Sequence, residues 1–270
     1  MKTFYFISGL PRSGSTLLSA LLRQNPRFHA KVTSPLYAMV DRMVEVMSAQ
    51  KRHSSFFDDE RRACVLRGLF DSYYGSVSAD VVFDTHRIWT ANAAMLAVLF
   101  PATKIICCVR NVPNIIDSFE RIIRKNPLQY SSLFGYANEP TIYGRVQALM
   151  SAREGLIGGP HSALRTIWFT ELAKKLIVVR YENLASQPER TLQSLYQLLG
   201  EAPFAHDIVN VEAEEPIYDE RIGLPGLHRV RRGVSLIEQP LTIPPDIFHS
   251  YSKLAFWNIR EENVHNIPVL

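Results

Sequence analysis

Short apolar runs and longer amphipathic stretches alternate along this chain, and the alternation predicts its elements. Lys2 to Ser8 reads KTFYFIS, an aromatic and β-branched run of strand length. From Leu17 the pattern becomes LLSALLRQ, apolar-rich and helical in character, and Asn25-Pro26 ends it. Phe28 to Val32 is short and reads as extended. Thr33-Ser34-Pro35 marks the next helix start, with Ser34 as cap and Pro35 at the first helical position. The LYAMVDRMVEVMSAQ stretch that follows sets Met39, Met43 and Met47 on one helical stripe, as core filler or as cleft lining.

Residues 58–75 predict another amphipathic helix, opened by Asp58-Asp59-Glu60 and closed by Tyr73-Tyr74-Gly75. Asp80 to Phe83 supplies a short buried strand that runs into Asp84-Thr85-His86-Arg87, and a helix follows from about Thr90 to Phe100. Lys104 to Val109 (KIICCV) is a fully apolar strand bounded by Arg110. A long helix is expected within 140–170, then a buried strand, KLIVV, over Lys175 to Val179. An amphipathic helix comes after Leu184, and Pro244 to Trp257 reads as a packed terminal element.

Buried strands alternating with helices imply an α/β fold, a three-layer sandwich whose central parallel sheet is flanked by helices. A single domain over 1–270 accounts for the whole length. In such sheets ligands collect at the carboxyl ends of the strands, and the loops 9–16, 84–87 and 110–118 all lie there.

The first of these loops carries the clearest chemistry. Gly9 and Gly14 stand five apart between a predicted strand and a predicted helix. Backbone N–H groups and a helix N-terminus then converge on one point, which suits a phosphate or sulfate. Against the Walker A pattern G-x-x-x-x-G-K-[ST] the spacing is met, but Ser15 stands in the lysine position and Arg12 is the loop's cation. A donor with less charge at its reacting end dispenses with both the lysine and Mg²⁺.

Composition narrows the class. The apolar content of 47% and charged content of 21% are those of an ordinary globular protein. A net charge of +4 fits an anionic ligand, while 26 acidic residues spread among 30 basic ones give no nucleic-acid footprint. Cys64, Cys107 and Cys108 offer neither a metal-ligand spacing nor an even disulfide framework, so a reducing compartment is expected and no metal site. No apolar run approaches a membrane span of about 20 residues, and no cleavable signal layout is present. A cytoplasmic protein without a membrane anchor is the expectation.

Pro11-Arg12-Ser13-Gly14-Ser15-Thr16-Leu17 resembles the 5′-phosphosulfate loop of sulfotransferases that use 3′-phosphoadenosine 5′-phosphosulfate (PAPS). Their fold is P-loop NTPase-like. Arg110-Asn111-Val112-Pro113 with Asp117-Ser118 is similar to their 3′-phosphate motif, in which an Arg leaving a strand and a Ser on the next helix hold the phosphate. Val112 departs from the common R-[ND]-P-x-D. Arg180-Tyr181-Glu182-Asn183-Leu184 resembles their R-Y-E-[DN]-L, which implies Tyr181 near the adenine and Glu182 and Asn183 fixing the loop. DERIGLPGLHRVRRGV, from Asp219, is a basic, glycine-bearing segment holding Arg221, His228 and Arg229. Its Arg231-Arg232-Gly233 is similar to the family's R-K-G, although the partner G-x-W is absent.

The resemblance implies PAPS as donor, adenosine 3′,5′-bisphosphate as product, no metal, and a small-molecule acceptor sulfated at a hydroxyl or amine. Arg12, Ser13, Gly14, Ser15, Thr16, Leu17, Arg110, Ser118, Tyr181, Arg231 and Arg232 are the expected cofactor contacts. Where the cytosolic members carry K-T-H, this chain reads Asp84-Thr85-His86, which makes His86 the expected proton acceptor and leaves cationic help to Arg12 or Arg87. The carboxylate of the tyrosylprotein branch has no counterpart in Lys31 to Ser34. Tyr37, Met39, Met43, Trp89 and Tyr136 are candidates for an apolar acceptor cleft. Two alternatives stay open at this point: a P-loop kinase that has lost its lysine, with Asp84 as its Walker B residue, and a non-catalytic nucleotide-binding module.

Overall fold

The computed structural model describes residues 2–48, 52–125, 128, 139–212, 215–221, 224, 226–230, 232–236 and 240–270. Among them the apolar runs form five strands, β1 (Thr3–Gly9), β2 (Phe28–Ala30), β3 (Val81–Thr85), β4 (Ile105–Val109) and β5 (Leu176–Arg180). They make one parallel sheet in the order β2-β3-β1-β4-β5.

Side chains alternate across the sheet, and both faces are buried, which is why the strands read as continuous apolar runs. Phe4, Phe6, Val82, Ile105, Cys107 and Val178 face one layer, made of α2 (Leu36–Met47), α3 (Asp59–Tyr73), α4 (Ala93–Leu99), α5 (Val112–Arg124), α6 (Ile142–Met150), α7 (Gly158–Trp168) and α11 (Pro245–Ser252). Tyr5, Ile7, Phe83, Ile106, Cys108 and Val179 face the other, made of α1 (Ser15–Leu22), α8 (Tyr181–Ser186) and α9 (Pro188–Leu199). The short α10 (Pro216–Arg221) lies outside both. The three-layer α/β sandwich expected from the pattern is the observed architecture.

The chain leaves β1 toward β2 on one side and leaves β4 toward β5 on the other. A crevice therefore opens between the carboxyl ends of β1 and β4, where ligands of open α/β sheets bind. Register fixes that end, pairing Gly9 with Cys108 and Ile7 with Thr85.

The helix starts follow local chemistry. Asp58 accepts a hydrogen bond from Arg61 N–H at 2.7 Å and so caps α3. Ser34 Oγ accepts from Leu36 N–H at 3.2 Å at the head of α2, although Pro35 rather than Ser34 stands at the cap position and the helix begins at Leu36. The single long helix expected within 140–170 is instead two, α6 and α7. Ser151 to Ile157 interrupts it, and Gly155, Gly158 and Gly159 are weak helix formers at the break. The methionine stripe is graded rather than uniform, from a buried Met47 to a solvent-exposed Met39. At the β5 edge, Val178 N–H donates to Pro268 O and Leu270 N–H donates to Val178 O, both at 2.8 Å. This bridge covers the exposed ladder of an edge strand.

Candidate active site

β1 ends at Gly9 with φ +106, and a Cβ there would run into the Cys108 backbone of β4. Only glycine lets the loop leave the sheet so close to its neighbour. Five residues later Gly14, at φ +88, turns the chain into α1, and a Cβ on it would lie 2.9 Å from Tyr181 Cδ2. The loop is thus fitted against the first residue of α8. Between the glycines Arg12 holds φ 56, a left-handed conformation that costs a non-glycine residue energy and aims its side chain across the crevice.

Arg12 is where the loops meet. Its Nε donates to Ser118 Oγ of α5 at 3.2 Å, and its Nη1 donates to the Leu227 carbonyl at 2.7 Å. Arg110, at the end of β4, donates from Nη1 to the Arg12 carbonyl at 3.4 Å. Its guanidinium carbon lies 4.4 Å from the Tyr181 ring centroid, a cation–π contact. Arg110 Nε is buried with no partner among the described residues. Burial, then the like charge of Arg110, lowers the Arg12 guanidinium from its ordinary value, with Tyr181 and Asp219 acting in the opposite direction. Neither arginine makes an ion pair of 4 Å or less among the described residues. Two guanidinium groups held together, one with an orphaned buried donor, fit an anion of high charge.

A cavity of about 980 Å³ opens at this point. Arg12, Gly14, Ser15, Thr16, Leu17, His86, Arg110, Ser118, Tyr181 and Arg232 all line it, so residues far apart in sequence are brought to one space. Ser13 is not among them; it is buried, and its hydroxyl turns back to the Pro11 carbonyl at 3.2 Å. Arg232 lies 3.6 Å from Glu212 on an exposed edge. Arg231 and Tyr136 lie outside the described residues. Glu182 Oε1 accepts from Asn111 N–H at 3.3 Å, tying the loop after β4 to α8 as the resemblance implied for that glutamate.

The apolar lining differs from the expectation. Trp89 is fully buried in the core, Met39 is exposed, and neither they nor Tyr37 and Met43 line the cavity. Val32, Phe119, Leu156, Leu236 and Leu241 supply its apolar wall instead. The sequence reading missed them because they come from loops and helix ends rather than from one stripe.

The Asp84-Thr85-His86 segment divides between core and cavity. Asp84 is 0% exposed, and its carboxylate accepts from Ser34 Oγ at 2.6 Å, Tyr74 OH at 2.6 Å and Trp89 Nε1 at 2.7 Å. Burial raises its pKa, and these three donors oppose the rise. It faces away from the crevice, so it neither replaces the family's lysine nor stands as a Walker B ligand. His86 does line the cavity, with its ring stacked on Tyr37 at 4.1 Å and 9°. Burial, then the charge of Arg87, pushes its pKa down to about 4, and its Nδ1 is buried without a partner among the described residues.

Two further cavity residues, Tyr218 and His228, carried no role in the sequence reading. Their signal is a contact across the basic segment: His228 Nδ1 lies 2.5 Å from Oδ1 of the buried Asp219.

Comparison with known proteins bears on the family and the fold. The model of the sulfotransferase family matches residues 5–205. The chain is similar in fold to the sulfotransferase domain from the curacin biosynthetic pathway (18% identity, TM-score 0.53, covering 80% of this chain and 79% of that one). It is also similar to the sulfotransferase domain of the Synechococcus PCC 7002 olefin synthase (17%, 0.54, 94% and 95%). A third likeness is to a sulfotransferase from Alicyclobacillus acidocaldarius (14%, 0.54, 82% and 90%). No curated protein matches. The matched span runs from β1 through α9 and so contains the glycine loop, Arg110, Ser118 and Tyr181: the chain belongs to the sulfotransferase family.

Proposed function

We propose that this chain transfers the sulfuryl group of PAPS to a hydroxyl or amine of a small-molecule acceptor, releasing adenosine 3′,5′-bisphosphate. The observation that carries the reading is the convergence of Arg12, Arg110 and Ser118, two cations with no ion pair within 4 Å among the described residues, beside a glycine-turned helix N-terminus. PAPS supplies an electrophilic sulfur on a phosphate leaving group, and its charges match this donor set.

The backbone N–H groups at the head of α1, with Arg12, hold the phosphosulfate and stabilise the charge that grows on the departing phosphate. Arg110 and Ser118 hold the 3′-phosphate, with Arg231 and Arg232 closing from the basic segment. Tyr181, pinned between Gly14 and Arg110, orients the adenine. The acceptor's proton goes to a histidine of the cavity wall. Both His86, the acceptor the resemblance implies and neutral at working pH, and His228 line it. The apolar wall and the cavity's size favour a small acceptor. A cytoplasmic setting is proposed from three free thiols, two of them in the sheet. Among the described residues no helix is long and apolar enough to cross a membrane.

The test follows the label. With ³⁵S-labelled PAPS in EDTA, sulfate should move to small alcohols, phenols or amines, and adenosine 3′,5′-bisphosphate should accumulate. Turnover confined to Mg·ATP would show a kinase, and nucleotide binding without turnover of either donor would show a binding module.

A further inference from the structure

Asp219 is 1% exposed, and both of its carboxylate oxygens are directed to one residue. Oδ2 accepts the His228 backbone N–H at 2.9 Å, and Oδ1 lies 2.5 Å from His228 Nδ1. An ionised carboxylate only accepts hydrogen bonds, so Nδ1 carries the hydrogen, and in the neutral ring the lone pair lies on Nε2. Carboxylate, imidazole, reacting group is the order in which a working base is held in nucleophilic enzymes.

The pair is also fixed to the donor site. Leu227, next to His228, accepts from Arg12 Nη1 at 2.7 Å, so the backbone that carries the imidazole is tied to the glycine loop. His228 and Tyr218 line the cavity with their rings 5.6 Å apart. His86 has no such support. Its ring is stacked flat on Tyr37 and its Nδ1 has no partner among the described residues, so no described bond at Nδ1 sets its tautomer.

We propose that His228, oriented by Asp219, is the base that accepts the acceptor's proton, and that His86 is part of the cavity wall. This rests on the PAPS reading above. The acceptor O–H or N–H gives its proton to His228 Nε2 as its oxygen or nitrogen bonds to sulfur. The bond from sulfur to the bridging phosphate oxygen breaks, and its electron pair leaves on adenosine 3′,5′-bisphosphate. Asp219 is a positioning residue: it fixes the tautomer and faces the imidazolium that forms.

The test uses the full chain and three readouts: calorimetric binding of adenosine 3′,5′-bisphosphate, sulfate released from PAPS to water and to small alcohols, and side-chain ¹⁵N shifts of the histidines. His228→Gln should bind the nucleotide within ~3-fold of wild type and lose ~10²-fold or more in release, a larger loss than His86→Gln shows. Wild-type His228 should be the Nδ1–H tautomer. Asp219→Asn presents an amide N–H to Nδ1, moving the hydrogen to Nε2 and losing rate with it; Asp219→Glu should recover both.

The proposal is overturned if His228→Gln releases sulfate at the wild-type rate, if His86→Gln takes the loss, or if wild-type His228 carries its hydrogen on Nε2. Nucleotide binding by the wild type with no release also overturns it. A wild type that does not bind the nucleotide removes the donor reading itself, and the proposal with it.

Discussion

Replacing Asp84 tests whether this carboxylate is a core hydrogen-bond hub or a cryptic ligand. Asp84→Ala strands three donors at once, of which the Tyr74 hydroxyl and the Trp89 indole N–H are buried beyond the reach of water. A buried orphaned donor costs about 1–3 kcal/mol, so the two together give a loss of about 2–6 kcal/mol. That is a large part of the 5–15 kcal/mol typical of a folded chain. Relief from burying a carboxyl whose pKa is raised offsets some of this. Asp84→Asn keeps one acceptor oxygen for Trp89 Nε1, which can only donate, while the Ser34 and Tyr74 hydroxyls can rotate to accept from the new amide; its loss should be about 1 kcal/mol. Urea unfolding followed by tryptophan fluorescence measures both. The pH dependence has a definite sign: with a folded pKa above the ordinary 3.8, the native state holds the proton longer than the unfolded chain. Stability from this group is therefore lost as pH rises through the folded pKa, and Asp84→Asn should remove that slope. A loss below about 1 kcal/mol for Asp84→Ala, or Mg²⁺-dependent nucleotide binding abolished by Asp84→Asn in a stable protein, would refute the reasoning.

Other perturbations have equally direct outcomes. Gly14→Ala forces an L side chain into φ +88 and against the Tyr181 ring; calorimetry should show nucleotide affinity down ~10-fold or more, with a melting temperature lowered by a cost of about 1–2 kcal/mol. Glu120 is fully buried and accepts from Arg145 Nε and Nη2 at 2.7 and 2.8 Å. Glu120→Ala removes this bidentate acceptor, leaving Arg145 its Nη1 bonds to the Glu139 and Pro140 carbonyls, and should cost about 1.5–3 kcal/mol in urea unfolding. His86, with a folded pKa of about 4, binds fewer protons than the unfolded chain below its ordinary 6.5. Its share of stability falls as pH drops from 6.5 toward 4, and His86→Gln should flatten the stability–pH curve in that window.

The parts of this molecule that are local in sequence were readable from it. The strand-loop-helix around Gly9 and Gly14 declares itself because the φ values a tight turn needs select glycine. Arg110 was found because a charged residue ends a fully buried strand. What was not readable depends on contacts between distant segments. The carboxylate of Asp84 gives no sign in sequence that Ser34, Tyr74 and Trp89 will enclose it, so it resembled a ligand. Asp219 and His228 are separated by a turn whose path no periodicity predicts, and the pair emerges when Leu224 N–H bonds back to the Asp219 carbonyl at 2.8 Å. The two-helix form of 142–168 was missed because an apolar repeat continues across Ser151 to Ile157 while the backbone leaves the helix. The apolar cavity wall was misassigned to the methionine stripe for a related reason: helical spacing shows which residues share a face, not which layer that face meets.

The central claim is that Arg12, Arg110 and Ser118 form a site for the 3′,5′-phosphorylated nucleotide. Titration of adenosine 3′,5′-bisphosphate in EDTA, beside Mg·ATP, on wild type and Arg110→Ala tests it most directly. Metal-free binding that weakens by ~10–150-fold in Arg110→Ala, the worth of about 1.5–3 kcal/mol for a charged hydrogen bond, is the predicted result. Binding of Mg·ATP alone, unchanged in Arg110→Ala, would contradict it.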